Sequence, residues 1–121
     1  MVLVDTSVWV DHLRRGLPGL AAQLETAAVV CHPFVLGELA CGNLKNRREI
    51  LDLLQTLCTC PVAAQEEVLH FIESNRLMGL GLGYIDVHLL ASAQLAGLPL
   101  WTLDRTLHSV AAKLRVAYHG Q

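Results

Sequence analysis

Short β-branched or apolar runs alternate along this chain with longer stretches of helical periodicity, and that alternation leaves few folds open. "VLV", "AVVCH", "CTCPV", "LPLWTL" and "VAYH" read as strands. Between them, "SVWVDHLRR", "LAAQLETA", "PFVLGELACG", "NRREILDLLQTL", "AAQEEVLHFIESNRLM", "IDVHLLASAQLAG" and "DRTLHSVAAKLR" read as helices. Ile50, Leu53, Leu54 and Leu57 share one helical face, Pro33 suits a helix start, and Glu66 and Glu67 suit a first turn. Short strands separated by helices predict a parallel sheet covered on both faces, with right-handed connections. The expected class is α/β: a single α/β/α sandwich around a short, mainly parallel central sheet. No linker, repeat or low-complexity segment divides residues 1–121, so one domain is expected.

Composition narrows the function classes. Hydrophobic residues make up 53% of the chain and charged residues 17%, an apolar balance that leaves surface for a partner to cover. A formal net charge of −2 does not advertise nucleic-acid binding, although a local basic patch would suffice for it. Cys31, Cys41, Cys58 and Cys60 lack the paired spacing of a zinc site. They read as small buried apolar residues in a reducing compartment, with zinc a minor alternative. The N-terminus has no basic leader, and Gly97, Pro99 and charged residues interrupt every apolar run short of membrane length. A soluble cytoplasmic protein is expected.

Within "MVLVDTSVWV", Asp5 ends a run that otherwise reads as core. A buried carboxylate must be paired, cap a helix or coordinate a cation, and capping is the plainest of these readings. Yet Asp104 follows "LPLWT" in the same way, at the edge where parallel sheets collect ligands. Asp86 starts the helix after "GLGLGY", and Glu38 sits among Leu36, Leu39 and Ala40. Each alone could be a cap or a solvated side chain. Gathered in one cleft, they would raise one another's pKa, and a divalent cation removes that conflict. Oxygen ligands without imidazole or thiolate partners favour Mg²⁺, with Mn²⁺ the alternative, and the natural reaction of such a site is phosphodiester hydrolysis.

"VLVDTSVWVDHL", "PFVLGELACGNLKNR", "GLGLGYIDVHLLASAQLAG" and "LWTLDRTL", in this order, resemble the PIN-domain family, and within it the VapC-type toxin ribonucleases. The resemblance covers nearly the whole chain and implies a PIN-like domain over 1–121. It implies an acidic quartet of Asp5, Glu38, Asp86 and Asp104, with Asp5 and Asp86 the most direct Mg²⁺ ligands. Thr6, Ser7 and Thr102 match hydroxyl positions that orient carboxylates or metal-bound water, with capping the plain alternative for Thr6 and Ser7. The resemblance further implies an endoribonuclease with an RNA substrate and a VapB-type antitoxin. It also implies a homodimer, alone or within a toxin–antitoxin hetero-oligomer that reaches DNA only through the antitoxin.

Other residues carry weaker signals. Arg47 and Arg105 could contact RNA or the antitoxin. Arg14, Arg15, Arg76 and Arg105 read as surface charges that could form a basic rim, and Arg48 as a solvated helix face. Asn43 and Asn46 read as turn or cap residues. Trp101 reads as core, and Trp9 as a candidate dimer or partner surface. His88 lies two positions after Asp86 and reads as structural; the other histidines show no triad or metal spacing. "GLGLGY" follows a helix rather than a strand, so it is a flexible approach to Asp86 and not a dinucleotide fingerprint. A receiver-like phospho-acceptor would need a lysine after a late strand, but Lys113 falls inside a helix. A metal-binding fold that acts only by binding a partner is the third reading.

Overall fold

The computed structural model describes residues 1–120. Its sheet has four strands: β1 (Val2–Val4), β2 (Val29–Cys31), β3 (Cys58–Thr59) and β4 (Leu100–Trp101). They run parallel in the order β3-β2-β1-β4, with Leu3 in register with both Val30 and Leu100. β1 and β2 consist wholly of buried residues, which is why they read as unbroken apolar runs without alternation.

The helices are α1 (Thr6–Arg15), α2 (Pro18–Glu25), α3 (Pro33–Cys41), α4 (Arg47–Gln55), α5 (Gln65–Asn75), α6 (Tyr84–Ala96) and α7 (Arg105–Lys113). α1 packs on α3 and α3 on α4, while α5 packs on α6 and α6 on β4. Right-handed crossovers place these two groups on opposite faces, because β1–β2–β3 steps one way and β3–β4 returns. The segment Val87–Ala93 of α6 is buried throughout, with His88 and Ser92 as its polar members, so this stretch is covered on all sides rather than amphipathic. Gly97 ends it in the left-handed region at φ 67°. Leu3, Leu89, Leu90, Leu100 and Leu107 form the centre of the core.

Three expectations need correction. "VAYH" is not a full strand: Val116 and Tyr118 exchange backbone bonds with Leu100 alone, giving a single parallel bridge at Ala117. Cys41 and Cys58 are exposed; only Cys31 and Cys60 behave as buried apolar residues, and burial pushes the Cys31 thiol up to about 11. Trp9 is buried at 3% exposure instead of standing on the surface. Trp101, as expected, is core. Among the described residues no helix is long and apolar enough to cross a membrane.

Candidate active site

The chain leaves β1 toward β2, and later crosses back to β4 on the other side of β1. The carboxyl edge at the β1–β4 boundary is therefore the switch point where such sheets open a crevice. Asp5 follows β1, and Thr102 and Asp104 follow β4; α3 carries Glu38 from the β2 side, and the first turn of α6 carries Asp86.

Asp5 is 6% exposed and stands at the cap position of α1, yet its side chain makes no cap bond. Its Oδ2 instead accepts from Ser7 Oγ at 2.7 Å and Thr102 Oγ1 at 2.8 Å. Those hydroxyls accept in turn from the Leu103 and Asp104 amides, both at 3.0 Å. The donors thus run amide to hydroxyl to carboxylate, tying the β1–α1 turn to the β4–α7 loop and fixing the Asp5 rotamer. Thr6 Oγ1 donates to Glu38 Oε1 at 2.7 Å. The other two carboxylates do brace helix starts: Asp86 Oδ2 accepts from the Gly83 amide at 2.9 Å, and Asp104 Oδ1 from the Leu107 amide at 3.0 Å.

Each of the four carboxylates thus engages one oxygen with protein donors, and among the described residues no donor reaches the other. Burial raises the Asp86 pKa above its ordinary value; the Gly83 amide opposes this, and Asp5, Asp104 and Glu38 add to it. Asp86 therefore feels the charge of all three other carboxylates.

The donor set suits a hard divalent cation. Free carboxylate oxygens are offered, and no cation among the described residues neutralises them: the ion pair present, Arg15–Asp11, lies elsewhere. No three Asp, Glu, His or Cys groups among the described residues close into a ready-made cage. Oxygen donors of this kind suit Mg²⁺, which keeps several waters and takes one or two carboxylates directly. Zinc favours the imidazole and thiolate donors that the four carboxylates do not supply.

The flanking residues separate clearly. The Arg47 guanidinium donates to the Ala40 and Gly42 carbonyls, closing the end of α3, so it is bound up in the fold. Arg105 is exposed in the first turn of α7, beside Asp104. Gly79 and Gly81 take φ of 72° and 83°, which glycine alone adopts freely, and lead the loop to Gly83 and Asp86. Spacing along the chain gives no hint of His32, yet it is fully buried beside this edge. Its Nδ1 accepts from the Phe34 amide at 3.0 Å, and its Nε2 lies 3.2 Å from Ser92 Oγ, which donates to the Pro61 carbonyl at 3.2 Å. His88 packs edge-on against Phe34 and Tyr84 at 4.7 Å each, a buried structural role in keeping with its sequence context.

The PIN domain family matches residues 2–113. Over 118 residues the chain is 45% identical to Ribonuclease VapC32 of Mycobacterium tuberculosis, covering 97% of this chain and 95% of that protein. The chain belongs to the PIN-domain family, in its VapC-type branch. Solved structures share the fold at low identity. A toxin–antitoxin complex from Klebsiella pneumoniae superposes with a TM-score of 0.72 at 19% identity, over 100% of this chain and 98% of that one. PAE2754 from Pyrobaculum aerophilum superposes at 0.66 and 18%, over 97% and 87%. FitAB bound to a DNA fragment superposes at 0.64 and 17%, over 97% and 92%.

Proposed function

We propose that this VapC-type PIN protein is a divalent-cation-dependent endoribonuclease, the toxin of a type II toxin–antitoxin pair, acting in the reducing cytoplasm. The observation that carries the reading is the set of four carboxylates at the switch point of the sheet, each with one oxygen left free, with Asp5, Glu38 and Asp104 all acting on Asp86. The 45% identity to a protein named a ribonuclease supports RNA as the substrate. Asp5 and Asp86 are the most direct ligands of Mg²⁺, or of Mn²⁺, and Glu38 and Asp104 complete the site. When bound, such a cation supplies an acidified water and a Lewis acid for the phosphoryl oxygens. Ser7 and Thr102 hold Asp5, Thr6 holds Glu38, and the helix-start amides hold Asp86 and Asp104, so each carboxylate keeps one oxygen for a cation.

A chain of the same fold occurs in the toxin–antitoxin complex from Klebsiella pneumoniae, which supports an antitoxin partner here. An apolar groove lined by Trp9, Leu24, Leu53 and Leu57 offers it a seat. Leu69 and Leu95, exposed at 52% and 68%, provide apolar surface for a second copy in a homodimer.

The test is cleavage by the partner-free chain. Incubated with tRNA, ribosomal RNA and messenger RNA, it is expected to cut at discrete positions in Mg²⁺ or Mn²⁺ and not in EDTA. Undiminished cutting in EDTA overturns the cation-dependent mechanism. A folded, cation-binding chain that cuts none of these pools supports the binding-only reading instead. Thr102→Val removes one donor to Asp5 and the acceptor for the Asp104 amide. Loss of such an outer-shell bond is expected to lower the cleavage rate about 10–100-fold, whereas Thr102→Ser keeps most of it.

A further inference from the structure

We propose that the RNA strand crosses the carboxyl edge of the sheet between two basic clefts that flank the acidic residues, gripped by Arg14 and Lys45 on one side and by Arg105 and Lys113 on the other. This rests on the ribonuclease reading and states how that substrate is held.

The acidic edge poses a problem for a polyanion. The chain carries a net charge of −2, and the carboxylates stand where the scissile phosphate must come. A cation at the site answers this only locally, so the neighbouring phosphates need cations of the protein's own.

The first cleft, of about 670 Å³, begins at the site itself, since Thr6 and Glu38 line it. Arg14, Lys45, Asn43 and Asn46 also line it, together with apolar side chains such as Leu13 and Ile50, and Glu38 is its one carboxylate among the described residues. The second cleft, of about 300 Å³, runs along α7 from Arg105, the residue after Asp104. Arg105, Ser109 and Lys113 recur every four residues, so they form one column on that helix, with Thr106 beside them. Among the described residues no carboxylate lines this cleft. Nor is any of these four cations held in an ion pair among the described residues.

The two clefts meet the site from different strands. Glu38 arrives on α3, which follows β2, and Asp104 follows β4; β2 and β4 flank β1, whose end carries Asp5. A strand held in both clefts therefore passes over Asp5. Lysine and arginine heads meet the phosphates without reading base identity, and the hydroxyls and amides along the clefts add hydrogen bonds to the backbone.

The experiment uses the whole chain and a fluorescein-labelled single-stranded RNA. Anisotropy in EDTA, where nothing is cut, reads binding across a salt series; cleavage in Mg²⁺ reads KM and kcat. The paired variants are Arg14→Ala with Lys45→Ala, and Arg105→Ala with Lys113→Ala. Arg48→Ala, exposed on α4 and outside both clefts, controls for net charge. Each pair is expected to flatten the slope of log affinity against log salt by about 1.4, at about 0.7 per lost phosphate contact on a single strand. Each is also expected to raise KM while kcat is kept. Unchanged slope and KM in both pairs, with the parent chain cutting RNA, overturn the proposal and leave the ribonuclease reading standing. An effect confined to one pair overturns the crossing path. An effect in Arg48→Ala of half that size, as its one lost charge against two would give, assigns the change to net charge and overturns it too. Variants that bind RNA normally but lose the antitoxin assign the clefts to the protein partner and overturn it likewise. A parent chain that neither binds nor cuts RNA removes the underlying reading and this proposal with it.

Discussion

Asp5→Asn is expected to slow RNA cleavage by more than about 100-fold while the protein stays folded. Loss of an outer-shell partner costs about 10–100-fold in metal sites, and a direct ligand must exceed that range. The substitution is nearly isosteric. The side-chain amide oxygen it introduces can still accept from Ser7 and Thr102, the two donors that hold Asp5 Oδ2, so the link between the β1–α1 turn and the β4–α7 loop survives. What disappears is the free carboxylate oxygen and its charge. Removing that charge also relieves Asp86, whose pKa Asp5 helps to raise, so stability is expected to hold or rise. Thermal unfolding and single-turnover cleavage measured on the same preparation check both halves. A variant that cuts RNA at the parent rate makes Asp5 a structural residue and removes it from the site.

The second large effect is on stability and runs through His32. Its Nδ1 must stay unprotonated to accept from the Phe34 amide, so its proton sits on Nε2, facing Ser92 Oγ. Protonating Nδ1 would set two donors against each other at a fully buried helix start. Burial, reinforced by nearby His88, lowers the His32 pKa from 6.5 to about 4. The folded state thus binds fewer protons than the unfolded state between these values. The stability contributed is fully present above the unfolded value of 6.5 and is lost as pH falls toward about 4. The shift corresponds to about 3 kcal/mol at about 1.36 kcal/mol per unit. Urea unfolding at a series of pH values checks it. His32→Asn keeps an acceptor for the Phe34 amide but does not titrate, so its loss of stability across this window is expected to be smaller by about that amount. Parallel curves for the two proteins would show that His32 does not carry the effect.

The order of strands and helices was legible because each type leaves its own period, and Pro33, Gly97 and the apolar β1 run mark boundaries locally. Strand length was less legible. "VAYH" has the composition of a strand, but its pairing depends on Leu100 alone, a long-range fact. Exposure of Cys41 and Cys58 is equally non-local, set by the open end of α3 and the sheet-edge position of β3. At the site, Asp5 and Asp104 stood out because each ends an apolar run, whereas Glu38 and Asp86 gained weight from the ordered family motifs. The hydroxyl relay through Ser7 and Thr102 joins residues 95 apart, and spacing cannot show which of two nearby hydroxyls faces a carboxylate. His32 was invisible for the same reason: its partner Ser92 lies 60 residues away, and histidine is not a favoured cap.

Calorimetric titration of Mn²⁺ into the partner-free chain tests the central claim most directly, with Asp5→Asn titrated alongside. If the carboxylates of Asp5, Glu38, Asp86 and Asp104 hold a catalytic cation, the parent binds saturably and Asp5→Asn binds far more weakly. A parent chain that binds no cation yet still cuts RNA, or an Asp5→Asn protein that binds as tightly as the parent, would contradict it.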